Sequence, residues 1–368
     1  YELSPDFINL ENGYLSPQPL SSLNAFTEKI RMINEKPSFY MRRLMEQDLA
    51  AVKKKVADFA GCTVEELVIC RNTTEALNNV ILGIELNPQD EILYADMEYP
   101  SMKEALEMRA KRFGTKIREI KIPVLPVNDN QVVKIYEEAI SEQTKVILIS
   151  HLVYLTGQVL PVKKICDMAH SKGIEVIVDG AHSFAHLNYK ISELNCDYFG
   201  CSLHKWLCAP LGTGLLYIKK DKISKVWPLF GDSKAANDSI KKFEHIGTHP
   251  ISAKLGILAA IDFFNIIGAQ RKEDRLRFLK NYWVDKLSAL KSVKINTPLK
   301  DYQSCAIALL AVKDKTPAEL ANYLFDKHKI FTVAIDSEQV KGVRVAPNVY
   351  TSTADLDKLV EAIKEIAE

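Results

Sequence analysis

IEVIVDGAHSFAHLNYKISELNCDYFGCSLHKWLCAPLGTG, residues 174–214, opens on a run over Ile174–Val178 that is apolar but for Glu175 and rich in β-branched residues. Such a run predicts a strand buried on both faces. Asp179 stands where that strand ends, followed by Gly180 and His182. After a polar connection, Tyr198–Cys201 reads as a second short buried strand, which runs out into Ser202-Leu203-His204-Lys205-Trp206. An acid and a lysine are thereby expected at the carboxyl ends of two buried strands. In open parallel sheets that is where ligands bind.

The chemistry that needs this pair is pyridoxal phosphate chemistry. A lysine amine forms a Schiff base with the cofactor aldehyde, and an acid keeps the pyridinium nitrogen protonated so that the ring accepts electrons. Plainer readings exist for each residue. A lysine after a strand is ordinarily solvated, and an acid there is often a helix N-cap. His182 and His186 are four apart, the spacing of a metal pair on one helix face, but no third ligand has the matching spacing.

Asp179-Gly180-Ala181-His182 followed by Ser202-Leu203-His204-Lys205 resembles the class V aminotransferase family of pyridoxal-phosphate enzymes, fold type I, with its isopenicillin N epimerase-like branch nearest. Cysteine desulfurases and kynureninase are relatives in that family. The resemblance spans nearly the whole chain. It implies an α/β fold: a large domain with a mostly parallel seven-stranded sheet flanked by helices, and a smaller C-terminal α/β domain. The expected division is an arm over 1–20, the cofactor domain over 21–250 and the small domain over 251–368.

The whole-chain numbers fit a large globular enzyme. Of 368 residues 47% are hydrophobic, enough for a sizeable core. Lysine and arginine total 48 against 47 acids, so no basic excess points to nucleic acid. No apolar run approaches the ~18–20 residues of a membrane span. The seven cysteines, at 62, 70, 166, 196, 201, 208 and 305, form no C-x-x-C pair and read as reduced thiols. A cytoplasmic location is the expectation, although a chain that begins at Tyr1 without methionine leaves room for a removed leader.

Along the chain, Asn12-Gly13 and Pro17-x-Pro19 are turn chemistry, and Ser21 or Ser22 is the expected cap of the helix that follows. Residues 43–60 read as an amphipathic helix ended by Gly61. The strand Leu67–Cys70 leads to Thr73-Thr74 at the start of a helix, where free N–H groups and hydroxyls suit a phosphate. By resemblance, Thr73, Thr74, Ser202 and His204 hold the cofactor phosphate, and Thr248 reaches the partner's cofactor across a homodimer. Tyr99 stacks on the ring, worth ~0.5–1.5 kcal/mol beyond area burial. His182 bonds near the ring oxygen or orients Asp179. Arg344 holds the substrate carboxylate through its planar fork. Tyr154 stands where desulfurases carry asparagine, and with Asn12 and Tyr14 it is a candidate substrate contact.

The implied reaction joins Lys205 to the cofactor, exchanges it for an amino acid, and uses the freed amine as base at the α-carbon, with Asp179 and His182 as the other catalytic residues. Transamination and epimerisation are the leading outcomes. Desulfuration is disfavoured, since Val349 stands five residues after Arg344, where one desulfurase branch has its cysteine. A metal-dependent hydrolase, which a chelator would inhibit, and a non-catalytic cofactor-binding protein are the readings from other classes. Uncoupling a buried ion pair is worth ~3–5 kcal/mol, so Asp179→Asn is expected to slow turnover about 10²–10³-fold or more in steady-state kinetics. A surface residue in that place would leave the rate within a few fold.

Overall fold

The computed structural model describes residues 1–367. The chain enters through an arm bearing the two-residue strand β1 (Ile8–Asn9) and then lays down a seven-stranded sheet. Its strands are β2 (Leu67–Cys70), β3 (Glu91–Ala95), β4 (Lys116–Ile120), β5 (Thr144–Ser150), β6 (Glu175–Asp179), β7 (Tyr198–Ser202) and β8 (Gly214–Ile218). The spatial order is β2-β8-β7-β6-β5-β3-β4. Only β8 runs against its neighbours β2 and β7; the other pairs are parallel.

Side chains alternate across this sheet as a period of two requires. In β6, Val176 and Val178 join one hydrophobic cluster and Ile177 the other; in β5, Ile147 and Ile149 oppose Val146 and Leu148. Helices Met45–Ala60, Asp129–Ala139, Val162–His170 and Ile251–Ile267 cover the first face. Helices Thr73–Gly83 and Pro100–Phe113 cover the second. Burial on both faces is why the middles of these strands are apolar, with polar residues confined to their ends, and β4, at the sheet edge, is the mostly exposed exception. The mostly parallel seven-stranded α/β architecture expected from the sequence is the one found.

A second, antiparallel sheet takes β9 (Val293–Ile295), β10 (Ala308–Val312), β12 (Val333–Asp336) and β13 (Lys341–Val345) in the order β12-β13-β10-β9. Trp283, Leu279, Leu320 and Leu359, from the helices beside it, fill its core with Leu310 and Val343. The short β11 (Ile330–Phe331) pairs in parallel with β1, and this ties the arm to the small sheet. Helix Ile251–Ile267 packs on helices Leu20–Glu35 and Met45–Ala60, and Ala269–Leu287 on the terminal helix Thr353–Ala367. Among the described residues no single helix is long and apolar enough to cross a membrane.

One local expectation changes. The helix expected to be capped by Ser21 or Ser22 begins at Leu20, with Pro19 at the cap position and no side-chain cap. The fixed φ of Pro19, −56°, turns the chain into the helix, and the Ser22 hydroxyl is buried without a partner.

Where β8 meets the start of helix Thr73–Gly83, there is no room for a side chain on Gly214. A Cβ there would lie 2.7 Å from both the amide nitrogen and the Cα of Asn72 and 2.8 Å from the Cys201 carbonyl oxygen. All three are backbone atoms, so no rotamer change relieves the clash. Gly214→Ala is therefore expected to cost ~1–3 kcal/mol in urea unfolding. Gly231→Ala, in open space, should leave the midpoint unchanged.

Candidate active site

Register places the site. Ser150 pairs with Asp179, and Asp179 with Gly200, so the carboxyl ends of β5, β6 and β7 lie abreast. Above them opens a cavity of about 480 Å³, lined by Lys205, Asp179, His182, Ser202, His204, Thr73, Thr74, Tyr99, Tyr154 and Tyr14 among others. Ten of the thirteen residues singled out from the sequence thus meet at one cavity. Thr248, Arg344 and Asn12 stand off it.

Lys205 sits in the turn that follows β7, and its Nζ is 3.3 Å from His182 Nε2. Burial pushes its amine down to about 8; the Asp179 charge opposes that shift and Arg344 adds to it. Asp179 is buried at the end of β6, and its Oδ1 accepts the Ala181 N–H at 2.8 Å. Burial raises its carboxyl, while that N–H and Lys205 pull it down. His182 is held neutral by burial, and its Nδ1 has no partner in the protein. The Tyr99 ring stands with its centroid 5.8 Å from Lys205 Nζ, edge-on to Tyr154 at 5.2 Å.

At the far end, helix Thr73–Gly83 starts with Asn72 as its cap, whose side chain accepts the Glu75 N–H at 2.9 Å. Thr73 donates its N–H to Ser202 Oγ at 3.0 Å, and the two hydroxyls are 2.7 Å apart. His204 is anchored through Nδ1 to the Thr213 carbonyl at 3.0 Å, and burial lowers it to about 4, so it is neutral.

Thr248 lies in an adjoining cavity of about 740 Å³, which shares His249 and Lys254 with the first. Asn12 is wholly buried, donating to the Ala346 carbonyl at 2.8 Å and accepting from Tyr350. Tyr14 is 72% exposed at the rim. Arg344 is buried behind Tyr154, donating Nη1–H to the Tyr154 carbonyl at 2.9 Å, with its remaining edge in a fork on Glu11.

His186, weighed as a metal partner of His182, is occupied otherwise. The stretch from Gly180 to Ser183 turns instead of running as a regular helix; His186 Nδ1 bonds the His182 carbonyl and Nε2 accepts the Ala306 N–H at 2.9 Å. Its ring stacks on Trp206 at 3.8 Å.

Sequence reasoning missed Glu98, Glu11, Asn72, His249 and Lys254. Glu98 is buried next to Tyr99, accepting Ser150 N–H at 2.9 Å and Ser150 Oγ–H at 2.5 Å. Burial, reinforced by the Asp179 charge, pushes it up to about 8 against those two bonds. Its acid form is therefore favoured at neutral pH; Glu98 itself does not line the cavity, where Asp179 is the one carboxylic acid among the described lining residues. Asn72 with Glu75 three residues on was a legible cap signal; a buried glutamic acid has none.

The family model described as Aminotransferase class-V matches residues 22–359. Isopenicillin N epimerase of Amycolatopsis lactamdurans is 28% identical over the full length of this chain and 96% of its own. A probable cysteine desulfurase of Halalkalibacterium halodurans is 30% identical over 86% of this chain and 80% of its own. A solved structure of a C-DES mutant, with glycine covalently linked to its PLP cofactor, superposes with a TM-score of 0.88 at 21% identity, covering 97% of this chain and 96% of that one.

The lowered Lys205 amine has a direct readout. In the ligand-free protein, acylation of Lys205, mapped by mass spectrometry, should reach half its maximal rate near pH 8 and not in the ordinary lysine range. Asp179→Asn removes the negative charge that favours the ammonium form, so the midpoint should fall.

Proposed function

The chain belongs to the class V aminotransferase family, and from that premise we propose that it is a pyridoxal-phosphate-dependent enzyme acting at the α-carbon of an amino acid, by transamination or epimerisation. The single observation that carries this reading is one cavity that joins a buried lysine amine, a buried strand-end carboxylate and a hydroxyl-lined helix N-terminus.

The residues present fit the cofactor. His182 Nδ1 is a buried polar atom without a protein partner, the Thr73–Ser202 hydroxyl pair meets the cavity at the start of an 11-residue helix, and Asp179 is a buried carboxylate whose bonding within the protein is incomplete. The cavity volume lies within the ~300–1,000 Å³ range of small-molecule sites. Lys205 would hold the cofactor, Asp179 its ring nitrogen, Tyr99 its ring face, and Thr73, Thr74, Ser202 and His204 its phosphate. Bound there, pyridoxal phosphate supplies an electron-accepting ring that stabilises negative charge at the substrate α-carbon.

The chain's own residues do the rest. Lys205 Nζ takes and returns the α-proton; an amine lowered to about 8 has an appreciable neutral, basic fraction near physiological pH that an ordinary lysine lacks. His182, itself neutral, meets that amine and limits the directions in which it points. Arg344 orients the substrate carboxylate, and Tyr154 and Tyr14 border the substrate end, with Asn12 fixing the arm beneath them. We further infer, from the family resemblance, a homodimer in which the partner subunit's Thr248 completes the phosphate seat; within its own chain Thr248 lines the adjoining cavity and not the site itself.

The α-proton outcomes are favoured over desulfuration because no cysteine lines the cavity among the described residues. Six of the seven are buried, and burial pushes Cys70 and Cys305 up to about 12. A thiolate nucleophile is not at hand.

Protein loaded with pyridoxal phosphate is expected to show a visible absorption band that Lys205→Ala abolishes. Across a panel of amino acids, at least one should exchange its α-proton for solvent deuterium, and keto-acid release then separates transamination from epimerisation. Sulfide release from cysteine without α-exchange would overturn the reading.

A further inference from the structure

The arginine expected to receive a substrate carboxylate already holds one from its own chain. Glu11 and Arg344 are 6% exposed each and form a two-pronged ion pair: Arg344 Nη2–H donates to Glu11 Oε1 at 2.7 Å and Nε–H to Oε2 at 3.2 Å. A third N–H goes to the Tyr154 carbonyl at 2.9 Å. Of the five guanidinium N–H groups, two are left.

Backbone pairing makes this contact obligatory. Ala346, two residues beyond Arg344, forms a parallel bridge with Glu11; its N–H donates to the Leu10 carbonyl at 2.7 Å and its carbonyl accepts the Asn12 N–H at 3.1 Å. Leu10 is wholly buried, and the Asn12 side chain adds a second bond to Ala346. Glu11 Oε1 also accepts the Tyr14 N–H at 2.8 Å, which closes the turn over the pair. A Cβ on Gly13 would sit 3.0 Å from Glu11 Oε1 and 3.2 Å from Arg344 Nη2, so the backbone already lies close against both. Glu11 is thus fixed in place and is no mobile lid.

We propose that Glu11 is a specificity-determining residue, a built-in carboxylate that holds down the affinity of Arg344 for the carboxylate of a substrate. The inference rests on the reading of Arg344 given above and deepens it. An incoming carboxylate meets a neutral pair in place of a bare cation, finds the side-on fork taken, and is repelled by Glu11 at close range. Both charges reach the reacting centre, since Arg344 pushes the Lys205 amine down and Glu11 pushes it up. Binding strength on the carboxylate is thereby traded for weight on the rest of the substrate, lined by Tyr14, Tyr99 and Tyr154.

The test titrates the full-length protein, loaded with pyridoxal phosphate, with glycine and separately with glycinamide, each followed by the change in visible absorbance. The probes share an amine and differ in the carboxylate charge. In Glu11→Gln the glycine Kd should fall about tenfold and the glycinamide Kd stay within about twofold, as removal of one close like charge implies. Should Glu11→Gln not fold, Glu11→Asp, whose shorter arm weakens the fork, should lower the glycine Kd by a smaller factor with glycinamide again unmoved. A purely structural pair would shift both probes together or weaken glycine, and either result overturns the proposal. Arg344→Gln separates the two claims. If it leaves the advantage of glycine over glycinamide intact, the reading of Arg344 fails; if it removes that advantage while Glu11→Gln leaves the glycine Kd unchanged, this inference alone fails.

Discussion

A lysine amine and a carboxylate share one buried cavity in this protein because the strands that carry them are hydrogen-bonded neighbours. Asp179 lies opposite Gly200 in the ladder, and Lys205 stands in the turn just beyond β7. Neither group could be held there by side-chain contacts alone, since burying a charge costs several kcal/mol before any pairing is counted. The sheet supplies the positions, and its apolar faces supply the free energy. Helix Thr73–Gly83 meets the same edge through Asn72 and Gly214, so the hydroxyl end of the cavity depends on the same strands.

Charge in the cavity is managed mainly by burial. His182 and His204 are neutral and Lys205 is pushed towards its neutral form, while Glu98, outside the lining, is raised to about 8. Asp179 is left as the one carboxylate on the floor, with a single backbone N–H to satisfy it. Such a carboxylate calls for a cationic partner, and the family chemistry supplies one in a protonated ring nitrogen. The Arg344–Glu11 pair behind Tyr154 shows the same economy, since two buried charges cancel there.

Much of this was legible in the sequence for reasons of periodicity. Leu67–Cys70, Glu91–Ala95 and Tyr198–Cys201 are buried on both faces, and a strand so placed reads as a near-continuous apolar run, Glu91 at the start of one being the exception. Thr316-Pro317 is a helix-start signal in the sequence, and the helix found there begins at Pro317 with Thr316 as its cap. What escaped has no periodic trace. Strand β9 has three residues at a sheet edge, two half-buried and Lys294 exposed, too few for a pattern. Ser21 and Ser22 resembled a cap because a hydroxyl before an apolar stripe usually is one, yet the proline ahead of them set the turn. Glu98 and Glu11 look like any surface acid in one dimension; their partners, Ser150 and Arg344, lie 52 and 333 residues away.

The central claim is that one amine, at position 205, is the covalent seat of the cofactor. Borohydride reduction of the loaded protein, proteolysis and mass spectrometry test it most directly. The account predicts a pyridoxyl group on the peptide containing Ser202-Leu203-His204-Lys205 and on that lysine within it. A pyridoxyl group confined to any other lysine, Lys254 in the same cavity included, or no stable adduct at all, would contradict it.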